Sequence, residues 1–235
     1  MTKESLGGYE LTIIDGGSKN SYCTIQINEW ISEVTYDSVK KGQIKYPYHP
    51  SIYSKGYIGE GEAVIWANGK NTKVYDVWHD MIKRVYDPKV HIKQPAYKGV
   101  KLCEEWHNFN TFALWFKDNY IDGYALDKDL LSGGSKIYSP DTCVFIPVAL
   151  NSFLANIKST NTSGHTGVCW HKRRNKWNSN IRNLKINKII SLGYFSNIEE
   201  ASKAYQKKRA VYVRYWKYVA KRVYNLPQNA IDNIK

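Results

Sequence analysis

The last third of the chain carries the pattern that most restricts its fold. Three short runs, Thr166 to His171, Lys176 to Arg182 and Lys188 to Tyr194, have strand-like character and are separated by polar, turn-forming residues. A long amphipathic stretch follows from about Asn197. Asn197 or Ser196 can cap it, Glu199 and Glu200 sit at its positive N-terminal end, and Pro227 ends it. A period of two that gives way to a helical period predicts a three-stranded sheet backed by one helix.

Charge follows the same division. Residues 156–235 carry 17 Lys/Arg and 3 Asp/Glu, a net +14, whereas residues 1–155 carry 17 and 18, a net −1; the whole chain is at +13. A positive field confined to one third of the sequence predicts a polyanionic partner. Lysine-rich faces can be merely solvated. Here the cations are interleaved with strand-forming and aromatic residues in order, which favours nucleic acid.

The rest of the composition sets bounds. A chain of 235 residues holds one large domain or two to three small ones. A hydrophobic share of 43% excludes global disorder. No apolar run approaches a membrane span and Met1 to Gly8 is no signal peptide, so no membrane partner and an intracellular location are expected. Cys23, Cys103, Cys143 and Cys169 are scattered without a C-x-x-C pair, which indicates neither a disulfide framework nor an all-cysteine zinc site. Cys103 with His107, and His165 with Cys169 and His171, each lack further ligands, so zinc is not expected and buried free thiols are.

Upstream, Gly8 to Ile14, Tyr22 to Ile27 and Ser32 to Val39 read as strands around an Asp15-Gly-Gly-Ser turn, giving a small β-barrel or curled sheet. Gly56 to Glu62 lacks the strand, helix and lysine context of a phosphate loop and reads as a linker or exposed turn. Tyr75 to Tyr86 is a helix with Tyr75, Trp78, Ile82 and Tyr86 on one stripe, stopped by Asp87-Pro88. Tyr97 to Cys103 is strand-like, and Phe109 to Asp118 is a second helix with Phe109, Phe112, Trp115 and Phe116 inward. Tyr124 to Leu131, a Gly-Gly-Ser turn, Tyr138 to Pro147 and Val148 to Asn156 run strand, loop, strand, helix. The polar stretch from Lys158 to Gly164 marks a boundary. The expected fold class is α+β in three modules: a β-barrel-like unit over 1–55, a central unit over 56–157, and a sheet-plus-helix unit over 158–235.

Five spaced elements of the last module, Gly167-Val-x-Trp170, Lys176-Trp177, Ile181-Arg182, Leu192-Gly-Tyr-Phe195 and Glu199-Glu-Ala-x-x-Ala-Tyr205, together resemble the AP2 DNA-binding domain over about residues 160 to 215. The resemblance implies a three-stranded sheet, backed by a helix, that lies in the major groove of double-stranded DNA. It assigns base and phosphate contacts to His171, Asn180 and Arg182, with Lys172, Arg173, Arg174 and Lys176 on the hairpin. Trp177 is either a DNA contact or a core residue, and Ser179 and Ile181, pointing the same way, favour core. Plant members carry arginines where this chain has Thr166, Cys169 and His171, so their target sequence does not carry over. RNA suits such a sheet less, because its A-form major groove is inaccessible.

The central strand–loop–strand–helix, Tyr124 to Asn151, resembles the HNH motif of homing endonucleases. Ser139-Pro-Asp-Thr-Cys-Val-Phe-Ile resembles the motif's S-P-E-N-L segment, and Asn151 stands at its last position. The resemblance implies Mg2+ held by Asp127 and Asn151, and water activation at the motif's histidine position, which falls on Asp127 or Lys128. Thr142 stands where the motif has its orienting asparagine. No histidine lies between His107 and His165, so this is an HNH-type site without its usual catalytic histidine. A missing general base costs roughly 10²–10⁴-fold in rate, and Lys128 can replace it only with a lowered pKa. Two readings follow. One is a Mg2+-dependent endonuclease acting near its AP2 site. The other is a catalytically inactive DNA-binding regulator, or an inhibitor of a host DNA-acting system, on a degenerate HNH scaffold.

Further stretches, among them Lys41-Gly-Gln-Ile-Lys-x-Pro-Tyr-His-Pro50, Cys103-Glu-Glu-Trp-His-x-Phe109 and Leu126-Asp-Lys-Asp129, make nearly the whole chain similar to bacteriophage HNH endonucleases with a C-terminal AP2 domain. That likeness implies action in the cytoplasm of an infected bacterial host.

Overall fold

The computed structural model describes residues 2–19, 21–154, 161–184, 186 and 188–235. The fold is mixed α+β, with five small sheets among the described residues and no closed barrel. In chain order the elements are β1 (Thr2–Glu4), β2 (Glu10–Gly16), β3 (Tyr22–Ile27), β4 (Trp30–Thr35), α1 (Tyr36–Lys40), β5 (Trp66–Ala67), β6 (Lys70–Asn71), α2 (Lys73–Tyr86), α3 (Pro88–Lys93), β7 (Lys101–Leu102) and α4 (Phe109–Asn119). There follow β8 (Tyr124–Asp127), β9 (Ile137–Tyr138), β10 (Val144–Pro147), α5 (Val148–Leu154), β11 (Val168–His171), β12 (Lys176–Arg182), β13 (Ile189–Phe195), α6 (Ile198–Arg222) and α7 (Gln228–Asp232). Among the described residues no helix is long and apolar enough to cross a membrane.

The chain forms two compact units, one of residues 1–119 with 137–139 and one of residues 120–136 with 140–235.

In the first unit, β1 to β4 form an antiparallel meander in chain order, and among the described residues β1 and β4 do not pair to close a barrel. Leu11, Cys23, Ile25 and Ile27 bury one face of it against Val39 and Ile44. The strand expected over Ser32 to Val39 stops at Thr35. There the Thr35 side chain accepts the Ser38 N–H and starts α1, which turns Val39 into the core.

The glycine-rich stretch after residue 55 is no loose linker. The Asn110 amide donates to the Ile58 carbonyl at 2.9 Å and accepts the Ala63 N–H at 3.0 Å, pinning both sides of the stretch to α4. Buried Trp78 donates to the Trp106 carbonyl at 2.8 Å and packs on Phe109, tying α2 to α4. The strand expected over Tyr97 to Cys103 shrinks to β7, which pairs in parallel with β9.

In the second unit, β8 and β10 pair antiparallel and α5 follows directly, the strand, strand, helix order read from the sequence. β11, β12 and β13 form an antiparallel sheet. The Asn197 side chain caps α6 as expected, accepting the Glu199 N–H at 2.7 Å. This helix serves two cores. Tyr205 and Tyr212 pack with Ile181 of the sheet. One to two turns further on, Trp216, Val219 and Ala220 pack with Leu130, Ile146 and Leu150 of the hairpin and with Ala230, Ile231 and Ile234. Each fully buried Leu or Ile contributes about 1.5–3 kcal/mol. A boundary at 157/158 would divide that second core, and it falls in residues 155–160, outside the described residues.

Candidate nucleic-acid interface

The interface is built on β12, the central strand. Its register sets Trp170, Trp177 and Phe195 abreast, then Val168, Ser179 and Gly193, then Ile181 and Ile190. Pleating gives these residues one face. Ile181, Tyr205 and Tyr212 close it against α6, and Ser179 is wholly buried within it.

The opposite face is polar. His171 lies beside Lys176. Cys169, Asn178 and Tyr194 stand abreast, Asn180 faces Ser191, and exposed Arg182 faces Ile189. Side-chain bonds run across the strands. Ser191 donates to Asn178 Oδ1 at 2.8 Å, and Asn180 Nδ2 donates to Cys169 Sγ at 3.4 Å.

A β-bulge keeps this face polar. Ser179 opposes Gly193 but Asn180 opposes Ser191, so Leu192 is the extra residue. Leu192 packs with the Ile181, Tyr205 and Tyr212 cluster, and Ser191 takes the place beside Asn180. Strict alternation would have kept Leu192 on the same face as Tyr194.

The hairpin tip concentrates charge. Lys172–Arg174 form a single 3-10 turn, and Asn175 adopts a left-handed conformation at φ 50° to close it. His171 Nδ1 accepts the Arg174 N–H at 3.3 Å, which puts the ring proton of the neutral imidazole on Nε2. The Arg174 guanidinium stacks on Tyr194 at 4.4 Å, and His171 meets the same ring edge-on at 5.1 Å. Lys172, Arg173 and Lys176 are exposed beside them.

His171, Asn180, Arg182 and the hairpin cations thus share one surface, and Trp177 does not. Trp177 packs on Trp170 at 5.1 Å on the opposite face, with Ser179 and Ile181, and Trp170 is itself 43% exposed. Tyr194 and Ser191 also belong to the polar face, a place that sequence reasoning did not assign them. Only the pairing of β13 with β12 brings them there.

The strand–strand–helix constellation has different chemistry. Asp127 ends β8, and its Oδ1 accepts the Asp129 N–H at 3.0 Å and the Leu130 N–H at 2.7 Å. It caps the turn that follows the strand. Burial pushes the Asp127 carboxyl above the usual carboxylate range, and these two backbone bonds oppose that shift only in part. Lys128 is buried, and its ammonium donates to the Asp129 carboxylate and to the Ser135 carbonyl. Asn151 is half-buried on α5, which packs against both strands.

Asp127 and Asn151 are the residues that would hold a divalent ion here, with Asp127 Oδ1 already accepting two backbone N–H groups. Among the described residues no three His, Cys, Asp or Glu side chains converge as a metal site. No protein family, no curated protein and no solved structure matches this chain.

Proposed function

We propose that the protein binds duplex DNA through the polar face of β11–β12–β13, set against the major groove as the AP2 resemblance implies. One observation carries this reading. The register and bulge of β13 gather His171, Asn180, Arg182, Tyr194 and the hairpin cations on the face turned away from α6. A sheet face of that width enters a major groove, amide and guanidinium groups are the donors and acceptors that base edges require, and the net +14 of residues 156–235 supplies phosphate attraction. The strand–strand–helix serves as a brace for α6, as its shared core with Trp216 and Val219 supports. The protein is then a DNA-binding regulator or inhibitor acting inside an infected bacterial cell.

The HNH-like order of β8, β10 and α5, with Asp127 and Asn151 on it, favours a second reading, a metal-dependent nicking endonuclease. One experiment separates the two. Purified protein is incubated with supercoiled plasmid and phage DNA, with Mg2+, Mn2+ or EDTA, and the same samples are run in a gel shift. Shifted but intact DNA in every lane supports the binder. Nicking that needs the metal and disappears in Asn151→Ala supports the nuclease. Absence of any duplex shift at low salt overturns the sheet reading.

A further inference from the structure

The long helix has a second charged face that the sheet reading does not use. Between residues 201 and 222, α6 carries eight Lys/Arg and no Asp or Glu. One is spent internally. Arg209 stacks on Phe153 and donates to the carbonyls of Phe153 and Lys235. Others are arranged. At 3.6 residues per turn, Lys203, Lys207, Arg214 and Lys221 fall in one row along the helix, and all four are exposed. The row spans about 27 Å at 1.5 Å per residue.

Beside this row runs a second one. Val211, Tyr215 and Tyr218 are 45%, 49% and 66% exposed, with exposed Arg222 at its end. The buried stripe of Tyr205, Tyr212, Trp216 and Val219 lies on the far side of the helix and is already filled by the sheet and hairpin cores. Tyr215 meets Trp216 edge to face at 5.5 Å and stays about half exposed. The helix therefore presents a cation track next to a pair of exposed tyrosines, with no anion on either row beyond the first turn, where Glu199 and Glu200 lie.

We propose that this face of α6 binds single-stranded nucleic acid, the cation row following the phosphates while Tyr215 and Tyr218 stack on unpaired bases. Cations alone would suit a duplex equally well. The tyrosines decide for a single strand, because bases inside a duplex are stacked on one another and present no face to a side chain. The surface lies on the opposite side of α6 from the sheet, so a duplex and a single strand can be held together. It does not depend on the sheet reading, since it uses none of the same residues.

The test uses the full chain and a fluorescein-labelled oligo(dT), read by anisotropy with and without saturating unlabelled duplex. Oligo(dT) is expected to bind in both conditions. Tyr215→Ala with Tyr218→Ala should weaken it by at least about tenfold and leave duplex affinity unchanged, with an unaltered melting temperature. Lys203→Gln, Lys207→Gln, Arg214→Gln and Lys221→Gln together should weaken it and flatten its salt dependence. Arg182→Ala should weaken only the duplex. Photo-crosslinking of a bromodeoxyuridine oligonucleotide to the unmodified protein should map to Tyr215 or Tyr218. The proposal is overturned by oligo(dT) binding that survives the tyrosine changes, by stoichiometric displacement by duplex, by crosslinks confined to the sheet, or by no oligo(dT) binding at all. Failure of duplex binding alone would sink the sheet reading and leave this one standing.

Discussion

Gly167 lies against the ring of Tyr205, at φ +72°, so close that a Cβ added there would run into the ring and come within 2.6 Å of the Asn180 carbonyl oxygen. Its own carbonyl accepts the Asn180 N–H at 2.6 Å. The contact seats the first strand on α6 and fixes where Asn180 stands. Gly167→Ala combines a left-handed backbone penalty with an overpacked core, and should cost about 2–5 kcal/mol. Chemical denaturation measures this, and a cost near zero would show that the sheet does not sit on α6 this way.

Arg182→Ala and Trp177→Ala should separate recognition from packing. The arginine is on the polar face, and if it reads a base edge its loss should weaken duplex binding by about 1–3 kcal/mol and relax preference across a panel of sites. The tryptophan is on the opposite face against Trp170, so its truncation should lower the melting temperature and leave the ranking of sites as it was. Equal changes in site ranking for both variants would remove the distinction between the two faces.

Asp127 provides a pH test of its structural role. Its carboxyl has a folded-state pKa raised by burial, so the folded chain favours the protonated form more than the unfolded chain does. The stability it contributes is complete below the unfolded carboxylate range and is lost as pH rises through the higher folded value. Asp127→Asn keeps an oxygen for the Asp129 and Leu130 N–H groups and removes the titration. Its stability relative to the unmodified protein should therefore improve as pH rises from the acid side to neutrality. Asp127→Ala should lose about 1 kcal/mol of capping relative to Asp127→Asn, at every pH. If the aspartate instead held a metal, Asp127→Asn would abolish metal-dependent nicking.

Lys128 and Asp129 should respond asymmetrically. The ammonium is buried and the carboxylate is more than half exposed. Removing the carboxylate leaves a buried cation with only the Ser135 carbonyl, whereas removing the cation returns Asp129 to water. Asp129→Ala should thus destabilise more than Lys128→Met, and the double variant should recover much of the loss. Thermal melts of the three proteins test this. A Lys128→Met variant more damaging than Asp129→Ala would argue for a role of the lysine outside the ion pair.

Period and turn chemistry determine the three strands before α6, its asparagine cap, the helices around Trp78 and Phe112, and the strand–strand–helix order around Asn151. These rest on local spacing and on residues a few positions apart, which is the information that a sequence carries directly. The concentration of charge in the last third is likewise a property of the sequence alone. Only the tertiary structure decided the rest. The bulge at Leu192 moves one leucine into the core and brings Ser191 beside Asn180, and no periodicity shows it, because a bulge exists only relative to the partner strand. Trp177 stands beside Trp170 on the other face for the same reason, through the strand register. The core shared within the second unit was not legible either. The hairpin around Leu130 and the end of α6 around Trp216 are far apart in sequence, and burial of both in one core makes them a single unit where a polar linker had suggested two.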